Sequence, residues 1–588
     1  MSLSHPLANP LSPLGRWLGR RLWWIEHAFE RTRASDKAVN DTRLRIFFVL
    51  MLFGAGFVVL SLGATKAALF SRYGHGVEIL PPTPGARADL TDRNGEILAI
   101  DVIRYGVYLD PREIVHKPDV RAALLAAFPG LAPAKLDRIL AGDRNEFVIG
   151  ALTPEQRQQV HDLALPGVSF EEESGRAYPL GALGAHLIGF ASKDGVGQSG
   201  IERAFDTAIR ANGGKAPVAL SIDLRVQGAL EDELDGAASK FGAQGGAGIV
   251  VNVRTGEILG MASWPSYDPN NGAPTDHNVL VNRVAGVDYE PGSVMKIFTL
   301  AMGLDSGAAT LNSTFDTSTP LELPGQTIHD FESGGGVMTL AQVFVKSSNI
   351  GAAKLGLKAG APVMQRYYKD FGLFNAAPSP LAESTAPILP KTLTPNIVAS
   401  MSFGHAISES PLALATGMSA ILNGGTWRPL TLTPLAAGQA PAAGRMVIQA
   451  STSRTMLDLM RMNVVSGTGT KADIPGLRVG GKTGTATKLI GGHYLEGKNV
   501  ANLASFAGVF PTDAPFGADR YLVLIMLDAP KANTADGGVT TAAMTAAPTA
   551  GRVIERIAPF LGVQRVVVPS DLAPKAPVDA KLLTGEDQ

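Results

Sequence analysis

The 588-residue sequence contains no cysteine. That excludes disulfides, Cys-liganded zinc and thiol catalysis together. It fits an oxidising compartment that avoids stray thiols, without being diagnostic of one. Net charge is lacking too: 52 Lys and Arg stand against 53 Asp and Glu, a formal balance of -1. No global basic field exists to hold nucleic acid, so no nucleic-acid partner is expected. The ten histidines show no H-E-x-x-H pairing, which leaves a histidine metal site unsupported, and neither a metal nor another cofactor is expected. What the chain does have is apolar content, 45%. That is enough for a large core, in a length suited to more than one domain at roughly 150 residues each.

One apolar run stands apart. Ile46 to Thr65 carries no charge over twenty residues, about the length needed to cross a hydrocarbon core. Few soluble helices are apolar all round. A cleaved signal peptide is a poor fit, because residues 1–45 precede the run and are too long for an n-region. Those residues hold eight Lys and Arg, whereas the twenty after the run hold two, Lys66 and Arg72. The positive-inside rule then sets the N-terminus in the cytoplasm and the remaining ~520 residues outside. In the tail, Leu14, Trp17, Leu18, Leu22, Ile25 and Phe29 recur at helical spacing among Arg16, Arg20 and Arg31. This reads either as an amphipathic helix on an anionic leaflet or as a disordered tail with a few aromatics.

Beyond the run, "PPTPGARADL" reads as an extended linker. "LTDRNGEILAID" alternates around Asn94-Gly95, a hairpin signal, and so does "GAGIVVNVRTGEILGMAS" around Arg254-Thr255-Gly256. Helical patterns are expected over 133–165, from Ser293 into the 300s, and over 341–357, 361–371, 411–422, 453–462 and 542–561. Strands are expected at "LRVGGKTGTAT", "NLASFAGVFP" and "RYLVLIMLDA". Strands flanking a helical block suggest an α+β fold with an antiparallel sheet. The expected division is a tail at 1–45, a membrane helix at 46–65, a mixed pedestal at 66–216, a catalytic domain at 217–565 and a disordered tail at 566–588.

The chemistry starts from "YEPGSVMKIFTLAMGL". Lysine is almost never fully buried without a partner, yet Lys296 stands among Val294, Met295, Ile297, Phe298 and Leu300. Pro291-Gly292 turns the chain and the apolar period begins after it. Ser293 therefore sits near a helix N-terminus, where free N–H groups and the positive dipole end lie. Lys296 is three residues on, on the same face. Burial favours the neutral amine, and a neutral amine beside a hydroxyl is a base beside a nucleophile. The plain alternative is Ser293 as a cap and Lys296 snorkelling to water. Two further motifs bear on the choice. "VKSSNIG" contains S-x-N as Ser347-Ser348-Asn349, and "VGGKTGTAT" contains Lys482-Thr483-Gly484-Thr485 in a strand pattern. Each alone is weak: the first also reads as a helix cap, the second as a strand with a bulge-forming glycine.

In this order the three motifs resemble the catalytic triplet of penicillin-binding proteins and class A β-lactamases. The chain is similar to the class B penicillin-binding proteins, which are peptidoglycan D,D-transpeptidases. The resemblance spans nearly its whole length. It includes "DRNGEILA", Arg176 with Tyr178-Pro179, "GQSGIE", "SIDLRVQ", "YDPNN" and "NRVAGVDYEPGS". "TIHDFE", "SFGHAIS" and the short route from K-T-G to the C-terminus resemble the cell-division, FtsI-like type. The family usually has Arg-Gly where this chain has Arg87-Ala88. It often reads S-F-G-x-G-x-x-x-T-P-L-Q, where this chain has His405 and Ser410-Pro411-Leu412-Ala413.

The resemblance implies a serine acyl-enzyme. Ser293 would attack the penultimate D-alanine carbonyl of a D-Ala-D-Ala stem peptide, with Lys296 as base. Ser347 would pass a proton to the leaving amine, and Asn349 would hold the substrate backbone and Lys296. Lys482 and Thr485 would fix the donor's terminal carboxylate, with Thr483 and Gly484 in the same substrate-binding run. The oxyanion hole would come from the N–H groups of Ser293 and Thr485. Implied partners are stem peptides as donor and acceptor, β-lactams, a glycan polymerase of the shape-elongation-division-sporulation kind and other division membrane proteins. The implied location is the cytoplasmic membrane, with the catalytic domain in the periplasm. An elongation-type enzyme, a serine β-lactamase or β-lactam sensor, and an inert division scaffold are the rival readings. Midcell localisation, penicillin hydrolysis and rescue of a depletion strain by Ser293→Ala discriminate them.

Overall fold

The computed structural model describes residues 48–58, 60–61 and 87–566, apart from 273, 275, 332–334, 437, 491–492, 495–500 and 532–539. The amphipathic tail and the C-terminal tail from 567 lie outside the described residues. So do most of the linker and part of the apolar run. Residues 48–58 of that run are helical, with exposed apolar side chains. No helix among the described residues is long and apolar enough to cross a membrane. The described residues from 87 to 566 belong to one compact unit.

The first part of this unit is a sheet of five strands: β1 (Leu90–Thr91), β2 (Ile97–Leu109), β3 (Glu146–Leu152), β4 (Val168–Ala177) and β5 (Val218–Ala219). The Asn94-Gly95 hairpin forms as expected, with Gly95 at φ +90°. The expected helix over 133–165 is corrected. Residues 133–141 and 154–162 are helical, but Glu146–Leu152 between them is a strand pairing β2. Seven residues are too few for periodicity to separate strand from helix, and the available edge of β2 decides.

Motifs far apart in sequence converge here. The Arg87 guanidinium donates to the Glu202 carboxylate at 2.5 and 2.9 Å, and Arg176 Nε donates to its other oxygen at 2.6 Å. Glu202 is fully buried, and both arginines have almost no exposed side-chain surface. Asp92 closes its own turn and also accepts the Leu224 N–H at 3.1 Å. Asn270 exchanges two hydrogen bonds with the backbone of Tyr178. Beside them β1 runs parallel to β5, so main-chain pairing ties Leu90–Thr91 to Val218–Ala219.

The second part is a five-stranded antiparallel sheet in the order β8-β9-β10-β6-β7. Its strands are β6 (Gly245–Asn252), β7 (Ile258–Trp264), β8 (Gly480–Thr487), β9 (Asn502–Phe510) and β10 (Tyr521–Asp528). Its principal helices are α1 (Leu224–Lys240), α2 (Lys296–Asp305), α3 (Leu340–Val345), α4 (Asn349–Ala359), α5 (Pro411–Leu422), α6 (Ala450–Ser466) and α7 (Ala546–Ile557). In β10 the side chains alternate between two cores. Leu522, Leu524 and Met526 join Phe298, Met418 and Met460 of α2, α5 and α6. Val523, Ile525 and Leu527 join Leu230 of α1 and Ile554 of α7. A strand covered on both faces reads as a continuous apolar run, as "YLVLIML" does. Each such side chain contributes about 1.5–3 kcal/mol by burial. The expected helix over 341–357 is also corrected: it breaks at residues 346–348 into α3 and α4.

Candidate active site

The Pro291-Gly292 turn leads into a 3₁₀ turn, Gly292–Met295, that continues as α2. Gly292 has φ +58° and its N–H donates to the Gly404 carbonyl at 3.1 Å. Ser293 is half-buried at the mouth of this helix, and Lys296 is fully buried one turn on. Lys296 Nζ lies 3.0 Å from Ser293 Oγ. It donates to the Ser347 carbonyl at 2.5 Å and to Asn349 Oδ1 at 2.8 Å, and stands 3.2 Å from Ser347 Oγ. A neutral amine has two N–H groups and one lone pair. The two carbonyl oxygens take the N–H groups, and the lone pair is left for the serine proton.

Ser347 is there because α3 ends on it. Its N–H donates to the Phe344 carbonyl and that of Ser348 to Val343. This is the pair of bonds that closes a helix on a left-handed residue. Ser347 has φ +60°, a conformation uncommon outside glycine, asparagine and aspartate. Ser348 then caps α4, its hydroxyl accepting the Gly351 N–H at 2.9 Å. Asn349 opens that helix.

The third motif comes from β8, an edge strand whose register with β9 is unbroken from Gly480 to Thr487. No bulge forms at Gly484. Glycine is needed there because a Cβ would come within 2.8 Å of the Pro291 carbonyl and 2.5 Å of Ser505 Oγ. The strand thus lies against the catalytic turn. Lys482, fully buried, donates to Ser347 Oγ at 2.8 Å. Thr483 and Thr485 share the cleft wall with Ser293, Ser347 and Asn349, around a volume of about 270 Å³.

Two buried amines meet on one hydroxyl, where burial disfavours the charge of each. Burial holds Lys296 well below the usual lysine range; the positive charge of Lys482 lowers it further, and Asp330 opposes both. Burial pushes Lys482 down to about 7. All eight residues singled out from the sequence meet in this one region. Three more residues belong to it that the motifs do not point to as site residues. Asp330 and His405 line the cleft, and Thr468, also on it, has its Oγ1 2.5 Å from that of Thr483. "TIHDFE" and "SFGHAIS" mark the first two only as signs of subtype. Thr468 sits in a Gly-Thr-Gly stretch, which reads as an ordinary turn.

A hydroxyl, a desolvated amine that can take its proton, and a second amine on an adjacent strand are the parts of a serine acyl-transfer centre. The penicillin binding protein transpeptidase domain matches residues 246–548, and the penicillin-binding protein dimerisation domain matches 82–236. The chain is 50% identical over 561 residues to the probable peptidoglycan D,D-transpeptidase FtsI of Caulobacter vibrioides, covering 94% of this chain and 95% of that one. It is 32% identical over 491 residues to the peptidoglycan D,D-transpeptidase FtsI of Escherichia coli K12, covering 78% and 81%. The fold is shared with penicillin-binding protein 3 of Mycobacterium tuberculosis, solved with aztreonam, at TM-score 0.63 and 23% identity over 84% of this chain and 99% of that one. The chain belongs to the class B penicillin-binding proteins, as a peptidoglycan D,D-transpeptidase of the FtsI type.

Proposed function

We propose that Ser293 is the nucleophile and Lys296 its base in cross-linking stem peptides of septal peptidoglycan. Ser293 Oγ attacks the penultimate D-alanine carbonyl of the donor while its proton passes to Lys296. The oxyanion is met by the N–H groups of Ser293 and Thr485; one such donor is worth ~2.7–4 kcal/mol of barrier. The tetrahedral adduct collapses by breaking the bond to the terminal D-alanine. Its amine leaves with a proton handed from Lys296 through Ser347. An acceptor amine then attacks the acyl carbonyl and passes its proton to Lys296; the adduct collapses by breaking the bond to Ser293 Oγ, and Lys296 returns the proton to that oxygen. Asn349 holds the substrate backbone and Lys296. Lys482 and Thr485 bind the donor's carboxylate, with Thr483 on the same wall and Gly484 letting the strand close on the turn. A β-lactam presents the same carbonyl and carboxylate and acylates Ser293.

The observation that carries this reading is the fully buried Lys296 amine bridging Ser293, Ser347 and Asn349. We further propose that residues 46–65 anchor the chain in the cytoplasmic membrane with the catalytic part in the periplasm. A glycan polymerase and other division proteins of that membrane are then its partners. The test is covalent labelling by a fluorescent penicillin. Ser293→Ala is expected to abolish it, and Lys296→Ala to leave a folded protein almost unlabelled. Full labelling of Ser293→Ala would overturn the assignment, and rapid turnover of the penicillin would favour a β-lactamase.

A further inference from the structure

We propose that Asp330 is a positioning residue of this site: its carboxylate pins the turn that carries Ser347 and Asn349, whose oxygens hold the Lys296 amine, and it adds a negative charge to the groups around that amine. The inference rests on the reading of Lys296 as the base.

Asp330 lies just after the short strand Gln326–Ile328 and lines the cleft. Its Oδ1 accepts the backbone N–H groups of Asn349 at 2.5 Å and Ile350 at 3.0 Å, and its Oδ2 accepts the Ser348 hydroxyl at 2.7 Å. The first N–H groups of a helix have no partner within it, and their dipole end favours a negative charge. Asp330 meets both needs for α4. The adjoining His329 carbonyl accepts Asn349 Nδ2 at 3.1 Å, which fixes the amide so that Oδ1 turns to Lys296. The left-handed Ser347 is thus clamped from two sides: the end of α3 holds it from behind, and Asp330 holds the residues just after it.

Charge gives the carboxylate a second part. Among the described residues, three titratable groups bear on Lys296. Lys482 of β8 opposes its protonation. His405, after the helix Pro395–Met401, is pushed down to about 4 by burial and then by Lys296, so it stays neutral at working pH. Asp330 alone of the three favours the charged amine. Losing that charge makes the amine easier to deprotonate, so the acid limb of acylation moves to lower pH.

The experiment is the rate of Ser293 labelling by a fluorescent penicillin between pH 5 and 9, on the full chain and its variants. Asp330→Asn keeps the shape and loses the charge. It is expected to label more slowly, with its acid limb displaced to lower pH. Ser348→Ala removes two bonds, to Asp330 and from the Gly351 N–H, and no charge, so it is expected to slow labelling without moving the limb. Asp330→Ala is expected to cost tenfold or more in rate, about 1.4 kcal/mol of barrier. An unmoved limb in Asp330→Asn overturns the proposal, and that variant decides even if the alanine variant fails to fold. A wild-type rate in Asp330→Ala overturns it equally. Absence of labelling in the wild type would instead overturn the assignment of Ser293.

Discussion

Ser347 offers a way to separate what the fold needs from what the chemistry needs. The perturbation is a pair of substitutions, Ser347→Ala and Ser347→Gly. Both delete the hydroxyl that Lys482 and Lys296 approach at 2.8 and 3.2 Å, so that loss is common to both. They differ at the backbone. At φ +60° a Cβ costs ~1–2 kcal/mol. Glycine removes that cost but gains freedom in the unfolded chain worth ~0.4–1 kcal/mol. The difference leaves Ser347→Gly more stable than Ser347→Ala by about 1 kcal/mol. In a chain this long that difference moves the melting temperature by roughly 2 °C or less, so it is read as a free energy from the urea midpoint multiplied by the slope. Both variants are expected to lose penicillin labelling to the same extent. Should Ser347→Ala prove as stable as Ser347→Gly, the left-handed residue carries no strain and the reasoning fails.

Packing and charge give two further outcomes. Gly404 has φ +89°, and a Cβ there would lie 2.0 Å from the Gly292 carbonyl oxygen. Gly404→Ala is therefore expected to destabilise by about 1–3 kcal/mol and to depress labelling by shifting the turn that bears Ser293. Normal labelling in a stable Gly404→Ala protein would refute the contact. Glu409 is fully buried with no hydrogen-bond partner for its carboxyl among the described residues. Burial, and then Asp288, push it up to about 10 from 4.5. A raised pKa means the contribution to stability is fully present below the unfolded value and is lost as pH rises through the folded one. Glu409→Gln should thus match wild type near pH 4 and exceed it at pH 8, the gap growing by up to about 1.4 kcal/mol per pH unit between. Denaturant titrations at the two pH values measure it, and a gap that ignores pH would count against the shift.

Much of the site could be read from sequence because its chemistry is local. Ser293 and Lys296 are one helical turn apart, and the K-T-G-T run lies in a regular strand. Pro411–Leu422 matches its expected bounds because Ser410 caps it and proline opens it. What escaped reading is what depends on distant chain. The strand Glu146–Leu152 exists because β2 offers it an edge. The break at 346–348 is hidden because its left-handed residue is a serine where glycine would have announced it. Asp330 is 18 to 20 residues from the groups it binds, and no periodicity points across such a gap. The same holds for Glu202, whose partner Arg87 lies 115 residues upstream.

The way the pedestal is fastened has a mechanical consequence. Arg87, Arg176 and Glu202 lock the pedestal internally, whereas the β1–β5 ladder, the Asp92–Leu224 bond and the reciprocal Asn270–Tyr178 clasp join it to the chain that leads into the second sheet. A load applied at the pedestal is therefore handed to the second part through those few crossings.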